Sequence, residues 1–108
     1  MHYDLVIITK LNINEAYFKK LNYLIIKEAT INDDKSINIE DRKITYDYLI
    51  IDKLYDNLQT LKEDKKIITN QVFETSIANI FAIGEINNSK TPLNKQIKTI
   101  IGYIQNPF

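Results

Sequence analysis

Apolar positions fall along this chain in two rhythms, near-continuous runs and strict alternation. Tyr3-Asp4-Leu5-Val6-Ile7-Ile8-Thr9 is an almost unbroken apolar run rich in β-branched residues, the pattern of a strand buried on both faces. Asn12 or Asn14 can cap a following helix that reaches Leu21, with Ala16, Tyr17, Phe18 and Leu21 along one stripe. Tyr23-Leu24-Ile25-Ile26-Lys27 is a second strand, so the opening predicts a βαβ unit. The pattern then changes to a period of two. Thr30-Ile31-Asn32, Ser36-Ile37-Asn38-Ile39 and Lys43-Ile44-Thr45 are separated by the turn formers Asn32-Asp33-Asp34 and Glu40-Asp41-Arg42, which predicts an antiparallel meander with one wet face. Tyr46-Asp47-Tyr48-Leu49-Ile50-Ile51-Asp52 is a third buried strand, and residues 53–62 suit a short helix or an irregular turn. Lys66-Ile67-Ile68-Thr69 and Ile80-Phe81-Ala82-Ile83-Gly84 add two strands. After a polar loop over residues 87–92, Ile97, Ile100, Ile101 and Ile104 recur at helical spacing.

With no repeat and no linker, residues 1–108 are expected to form one α/β domain with an appended meander. Composition removes several function classes. Fourteen basic and fourteen acidic residues cancel, so the chain lacks the basic footprint of a nucleic-acid binder. There is no cysteine, which excludes a disulfide, a thiolate metal site, a cysteine nucleophile and a redox pair. The one histidine, His2, lies at the terminus, where it makes a poor general base. Acidic pairs such as Asp33-Asp34 and Glu40-Asp41 read as solvated turn residues, so no catalytic or metal-ligating set is expected. No run of about 18 apolar residues could span a membrane, and the chain is expected to be cytoplasmic with no membrane partner.

One segment carries a more specific signal. Ile67-Ile68-Thr69, then Phe73-Glu74-Thr75-Ser76-Ile77-Ala78-Asn79-Ile80-Phe81-Ala82-Ile83-Gly84-Glu85, then Lys95-Gln96-Ile97, resembles in order and spacing the closing segment of the flavin domain in the thioredoxin reductase and alkyl hydroperoxide reductase flavoprotein family. The physical logic can be read from the residues. Gly84 ends a buried strand and permits close backbone approach. Glu85 offers a carboxylate to sugar or ribityl hydroxyls, and Gln96 and Ile97 fall in the first turn of a helix, whose N–H groups favour an electron-rich acceptor. The opening is similar to the same family's first two strands, with Glu28 following Thr9 at close to the ~20-residue spacing of an acid that holds a ribose. The resemblance implies a small Rossmann-like, FAD/NAD(P)-binding-type parallel sheet with helices and an antiparallel β-meander. It also implies a flavoprotein-like oxidoreductase ancestry, FAD or a related nucleotide as ligand, and a homodimer. Cofactor-binding roles then fall on Gly84, Glu85, Gln96, Ile97 and Glu28.

The chain also departs from that family. Thr9-Lys10-Leu11-Asn12-Ile13-Asn14 stands where G-x-G-x-x-G should cradle a diphosphate, and it holds no glycine, leaving Lys10 as the one compensating charge. Asp52-Lys53 replaces Thr-Gly, Glu85 replaces Asp, and Ala78-Asn79 replaces Pro-Gly, although Asn still tolerates positive φ. The chain is too short for an NADPH domain, so it resembles a truncated reductase. Two readings result. One is a minimal thioredoxin-reductase-like domain that binds FAD or a related nucleotide without a complete reductase cycle. The other is a non-catalytic remnant acting as a self-associating or protein-interaction domain, with Tyr17, Tyr55 and Tyr103 as candidate interface aromatics.

Overall fold

A computed structural model describes residues 1–60 and 62–106. Among the described residues eight strands run in chain order: β1 (His2–Ile8), β2 (Tyr23–Ile26), β3 (Thr30–Ile31), β4 (Ser36–Ile39), β5 (Arg42–Ile51), β6 (Lys62–Glu63), β7 (Lys66–Ile67) and β8 (Ile80–Ala82). The α-helix α1 (Leu93–Gln105) closes the order of described elements. Six strands make one mixed sheet in the order β2-β1-β5-β4-β3, with β8 also paired to β5. β2, β5 and β8 join it in parallel, whereas β3-β4-β5 is antiparallel. β6 and β7 form a separate hairpin whose turn, Asp64-Lys65, takes positive φ at both positions, the combination that suits a tight hairpin.

This architecture overturns the expected Rossmann-like α/β domain. A mixed sheet carries most of the regular structure, and the helical crossover between β1 and β2 is missing. Residues 15–18 form only a short 3-10 helix. The Asn14 side chain accepts from the Ala16 N–H at one end, and at the other the Asn22 carbonyl is already paired with Asp4 and Leu5. Residues 15–21 amount to about two turns of α-helix at ~3.6 residues each, too short to be stable alone. The observed bonds, Tyr17 N–H to the Asn14 carbonyl and Leu21 N–H to the Phe18 carbonyl, span three residues. Residues 53–60 hold no regular element, and Leu61, within the same expected stretch, lies outside the described residues.

The sheet has an apolar layer on each side. Leu5, Ile7, Ile50, Phe81 and Ile83 meet Phe18, Phe73 and the Ile97, Ile100, Ile101 and Ile104 stripe of α1. Val6, Ile8, Leu49, Ile51, Ile80 and Ala82 point the other way and pack with Ile37, Ile44, Tyr46, Leu58 and Ile67. Each fully buried Val, Leu, Ile or Phe among them stabilises the fold by roughly 1.5–3 kcal/mol. That second layer is covered by the irregular segment carrying Tyr55 and Leu58, where an α/β protein would place helices.

The third meander strand and the third buried strand, read separately in the sequence, are one ten-residue strand, β5. Its non-β1 edge is shared in sequence. Arg42–Thr45 pair with β4, and Leu49–Ile51 pair with β8. Between them the alternation slips. Tyr46 packs in one layer and Tyr48 in the other, although residues two apart in a regular strand share a face. β1 slips at the matching place, Tyr3 and Leu5 also lying in opposite layers. Asp4 and Asp47 mark the change.

Candidate functional site

The parallel strands β2, β1, β5 and β8 all end at one edge of the sheet, and the segment that follows each of them leaves from there. From β1 the chain moves to one side to form β2, and from β5 it reaches β8 on the other, so the crevice between the β1 and β5 ends is a topological switch point, the usual ligand position in open parallel sheets. Here Thr9, almost fully buried, donates its hydroxyl to Asp52 at 2.5 Å across that crevice. The Thr9 oxygen also accepts the Leu11 N–H at 2.9 Å. In the sequence Thr9 and Asp52 stand only as departures from the family pattern, with no site role. Only the pairing of β1 with β5 makes them neighbours.

Gly84 occupies the carboxyl end of β8 with φ +77°, in the left-handed region that a side chain rarely adopts. A Cβ built there would lie 3.5 Å from Leu11 Cδ1, so the Leu11 side chain is within van der Waals reach of the Gly84 surface. The Gly84 N–H donates to Gln96 Oε1 at 3.0 Å. Gln96 Oε1 also accepts from Asn87 Nδ2 at 3.0 Å, while Gln96 Nε2 donates to the Thr91 carbonyl at 2.7 Å. Asn87 Nδ2 further donates to the Ala82 carbonyl at 2.8 Å. Gln96 and Asn87 are 2% and 3% exposed, so this network satisfies buried polar groups that would otherwise be costly. Asn87 gives no signal in the sequence, where Asn87-Asn88 reads as loop.

The five residues that the sequence groups together part company in space. Gly84 and Gln96 meet directly. Ile97 is fully buried in the helix-side core. Glu85 is exposed, and its carbonyl accepts from Lys66 Nζ. Glu28 follows β2, three strand spacings from β8, about 14 Å at ~4.8 Å per strand. Its carboxylate lies 3.1 Å from Lys10 Nζ, with both side chains about two-thirds exposed. The hydrogen bond and charge of Lys10, with a further contribution from Lys53, hold the Glu28 carboxyl below the usual range. The helix start also differs from expectation. The N–H groups of Lys95 and Gln96 both bond to the Pro92 carbonyl, so the Gln96 N–H is not free for a ligand.

Asn79, in the Ala78-Asn79 turn, takes φ 68° and donates its N–H to Glu74 at 2.8 Å. Among the described residues no group of three or more His, Asp or Glu side chains is placed to hold a metal ion, and no helix is long and apolar enough to cross a membrane. Compared with known proteins, the chain matches no family model and no curated protein.

Proposed function

We propose that this chain is a non-catalytic domain that acts by pairing with a second copy of itself through the edge strand β2. On this reading its resemblance to thioredoxin-reductase-type flavin domains marks descent and not a retained flavin site. The observation that carries it is the closure of the carboxyl edge by the chain's own groups. Diphosphate binding needs free backbone N–H groups at a glycine turn, and the turn after β1 has no glycine, commits the Leu11 N–H to Thr9 and lays Leu11 against Gly84. Gln96, the flavin-facing residue by resemblance, uses both ends of its amide internally. These residues fit FAD poorly, and no step is assigned to a flavin.

The pairing follows from β2. It is a sheet edge, and Tyr23-Leu24-Ile25-Ile26 contains neither proline nor a charge to block another strand. Asn22 and Ile26 give their carbonyls to β1. Every second residue of a strand faces the same neighbour, so Tyr23 and Ile25 turn their N–H and C=O groups outward.

Two measurements test this. Protein purified without added cofactor should show no flavin absorption and no saturable change in FAD fluorescence on titration. Saturable quenching, abolished by Gly84→Trp, would instead restore the flavin-binding reading. Sedimentation velocity should show a dimer that Ile25→Pro converts to monomer with its circular dichroism unchanged, since the lost N–H faces away from β1. A chain that stays monomeric at every concentration sinks the pairing.

A further inference from the structure

A cleft of about 310 Å³ opens on the sheet face opposite α1, where β5 changes partners. β4 leaves the edge of β5 at Thr45 and β8 joins it at Leu49, and the gap between them is lined by Tyr46 and Asp47. Leu58, Ile77 and Ile80 complete an apolar floor. Tyr46 is only 5% exposed, yet its hydroxyl makes no hydrogen bond among the described residues and is not sealed from the cleft. A polar atom so placed lacks a partner that a ligand can supply.

The rim is one-sided in its chemistry. Asn57 donates Nδ2 to the Ile31 carbonyl at 2.7 Å, which can only accept, so the amide orientation is fixed and Oδ1 remains available. Asn32 likewise spends Nδ2 on Ser36 and Asn38 and keeps its Oδ1. Asp33 and Asp47, the latter with one oxygen already held by His2 Nε2 at 3.1 Å, add carboxylates against the single ammonium of Lys35. The amide atoms left free on Asn32 and Asn57 are acceptors, the Tyr46 hydroxyl can accept as well as donate, and carboxylates outnumber the ammonium, so the complementary ligand carries donors and positive charge.

We propose that this cleft binds a small arylalkyl amine, a flat apolar ring on the floor with a protonated amine at the Asn32, Asp33 and Asn57 rim. The volume is at the lower end of ligand pockets, about 300–1,000 Å³, and suits one ring system. The site is independent of the carboxyl edge and of pairing through β2.

The test is an amide-resolved NMR titration with tryptamine, alongside indole-3-acetate, which keeps the ring and reverses the charge. Tryptamine should give saturating shifts confined to Tyr46, Asn57 and residues 77–80. Indole-3-acetate should bind at least about tenfold more weakly, the loss expected when a charge-assisted contact becomes repulsive. Tyr46→Phe, which keeps the apolar floor, should weaken tryptamine several-fold. Equal affinity for the two probes, shifts that never saturate or fall elsewhere, or unchanged affinity in folded Tyr46→Phe would overturn the proposal.

Discussion

Gln96 reaches back from the first turn of α1 to accept the Gly84 backbone N–H at 3.0 Å, tying the helix to the end of β8. The same oxygen takes an Asn87 N–H, and the other end of the amide holds the Thr91 carbonyl. One side chain therefore closes the loop between β8 and α1 on three sides. Gln96→Ala would strand the part-buried Gly84 N–H and Thr91 carbonyl and take from the buried Asn87 Nδ2 one of its two partners, the Ala82 carbonyl remaining. Each orphaned group costs about 1–3 kcal/mol, and partial rescue by water brings the expected total to roughly 2–4 kcal/mol in urea unfolding. A loss below about 0.5 kcal/mol would mean that the network does not hold the loop.

Gly84 separates backbone strain from space. A Cβ there meets Leu11 Cδ1 at 3.5 Å, an ordinary contact, so the cost of Gly84→Ala comes from φ +77°. The left-handed conformation costs a side chain about 1–2 kcal/mol, and that is the expected destabilisation. Leu11, 43% exposed, makes this checkable. In a Leu11→Ala background, Gly84→Ala should cost the same within about 0.5 kcal/mol. A smaller cost there would show that crowding by Leu11 is the real term.

Strands with near-continuous apolar runs were legible because burial on both faces demands them. Ile7 and Ile50 on one side, and Ile8 and Ile51 on the other, belong to strands close to where the pattern placed them. The stripe Ile97, Ile100, Ile101 and Ile104 gave α1 for the same reason. The crossover failed because a stripe such as Ala16, Tyr17, Phe18 and Leu21 reports amphipathicity and not available length. Asn14 and Asn22, each committed to its neighbours, left too little chain for a helix. The union of the meander and the buried strand in β5 was also hidden, because the slip at Asp47 looks in sequence like a boundary. At the candidate site, Gly84 was legible as a strand-end glycine. Gln96 was read as facing a ligand, since the sequence does not show that Asn87 and Thr91 compete for its amide.

An exposed ion pair on the meander gives a pH signature of known sign. Lys43 Nζ lies 2.7 Å from Asp34 Oδ2, and Ser36 donates to the other oxygen. The Lys43 contact first, then Ser36, holds the Asp34 carboxyl below its ordinary value. A depressed folded value contributes stability that is present above the unfolded aspartate pKa, about 3.9, and is lost as pH falls through the folded one. The urea midpoints of wild type and Lys43→Ala should therefore differ slightly at neutral pH in low salt and converge toward pH ~2. A gap that is constant with pH would assign the effect to packing of the lysine stem.

Tyr55 titrates at the opposite end of the scale. Its hydroxyl is buried with no hydrogen-bond partner among the described residues, while Lys53 Nζ sits 5.2 Å from the centre of its ring. Burial, reinforced by the negative charges of Asp52 and Glu28, pushes the phenol up to about 12. The raised folded value means that the neutral form is favoured in the native state. Its contribution is fully present below the unfolded tyrosine pKa, about 10, and is lost as pH rises through about 12. Tyr55→Phe should remove this alkaline loss, so that the stability of the variant falls less steeply above pH ~10. At neutral pH the substitution deletes an unsatisfied buried hydroxyl while keeping the ring. The expected change is therefore neutral or a gain of up to about 1 kcal/mol. Urea unfolding of both proteins at pH 7 and pH 11 measures the two effects together. Destabilisation of Tyr55→Phe by more than about 1 kcal/mol at pH 7 would mean that the hydroxyl has a partner in solution, such as an ordered water.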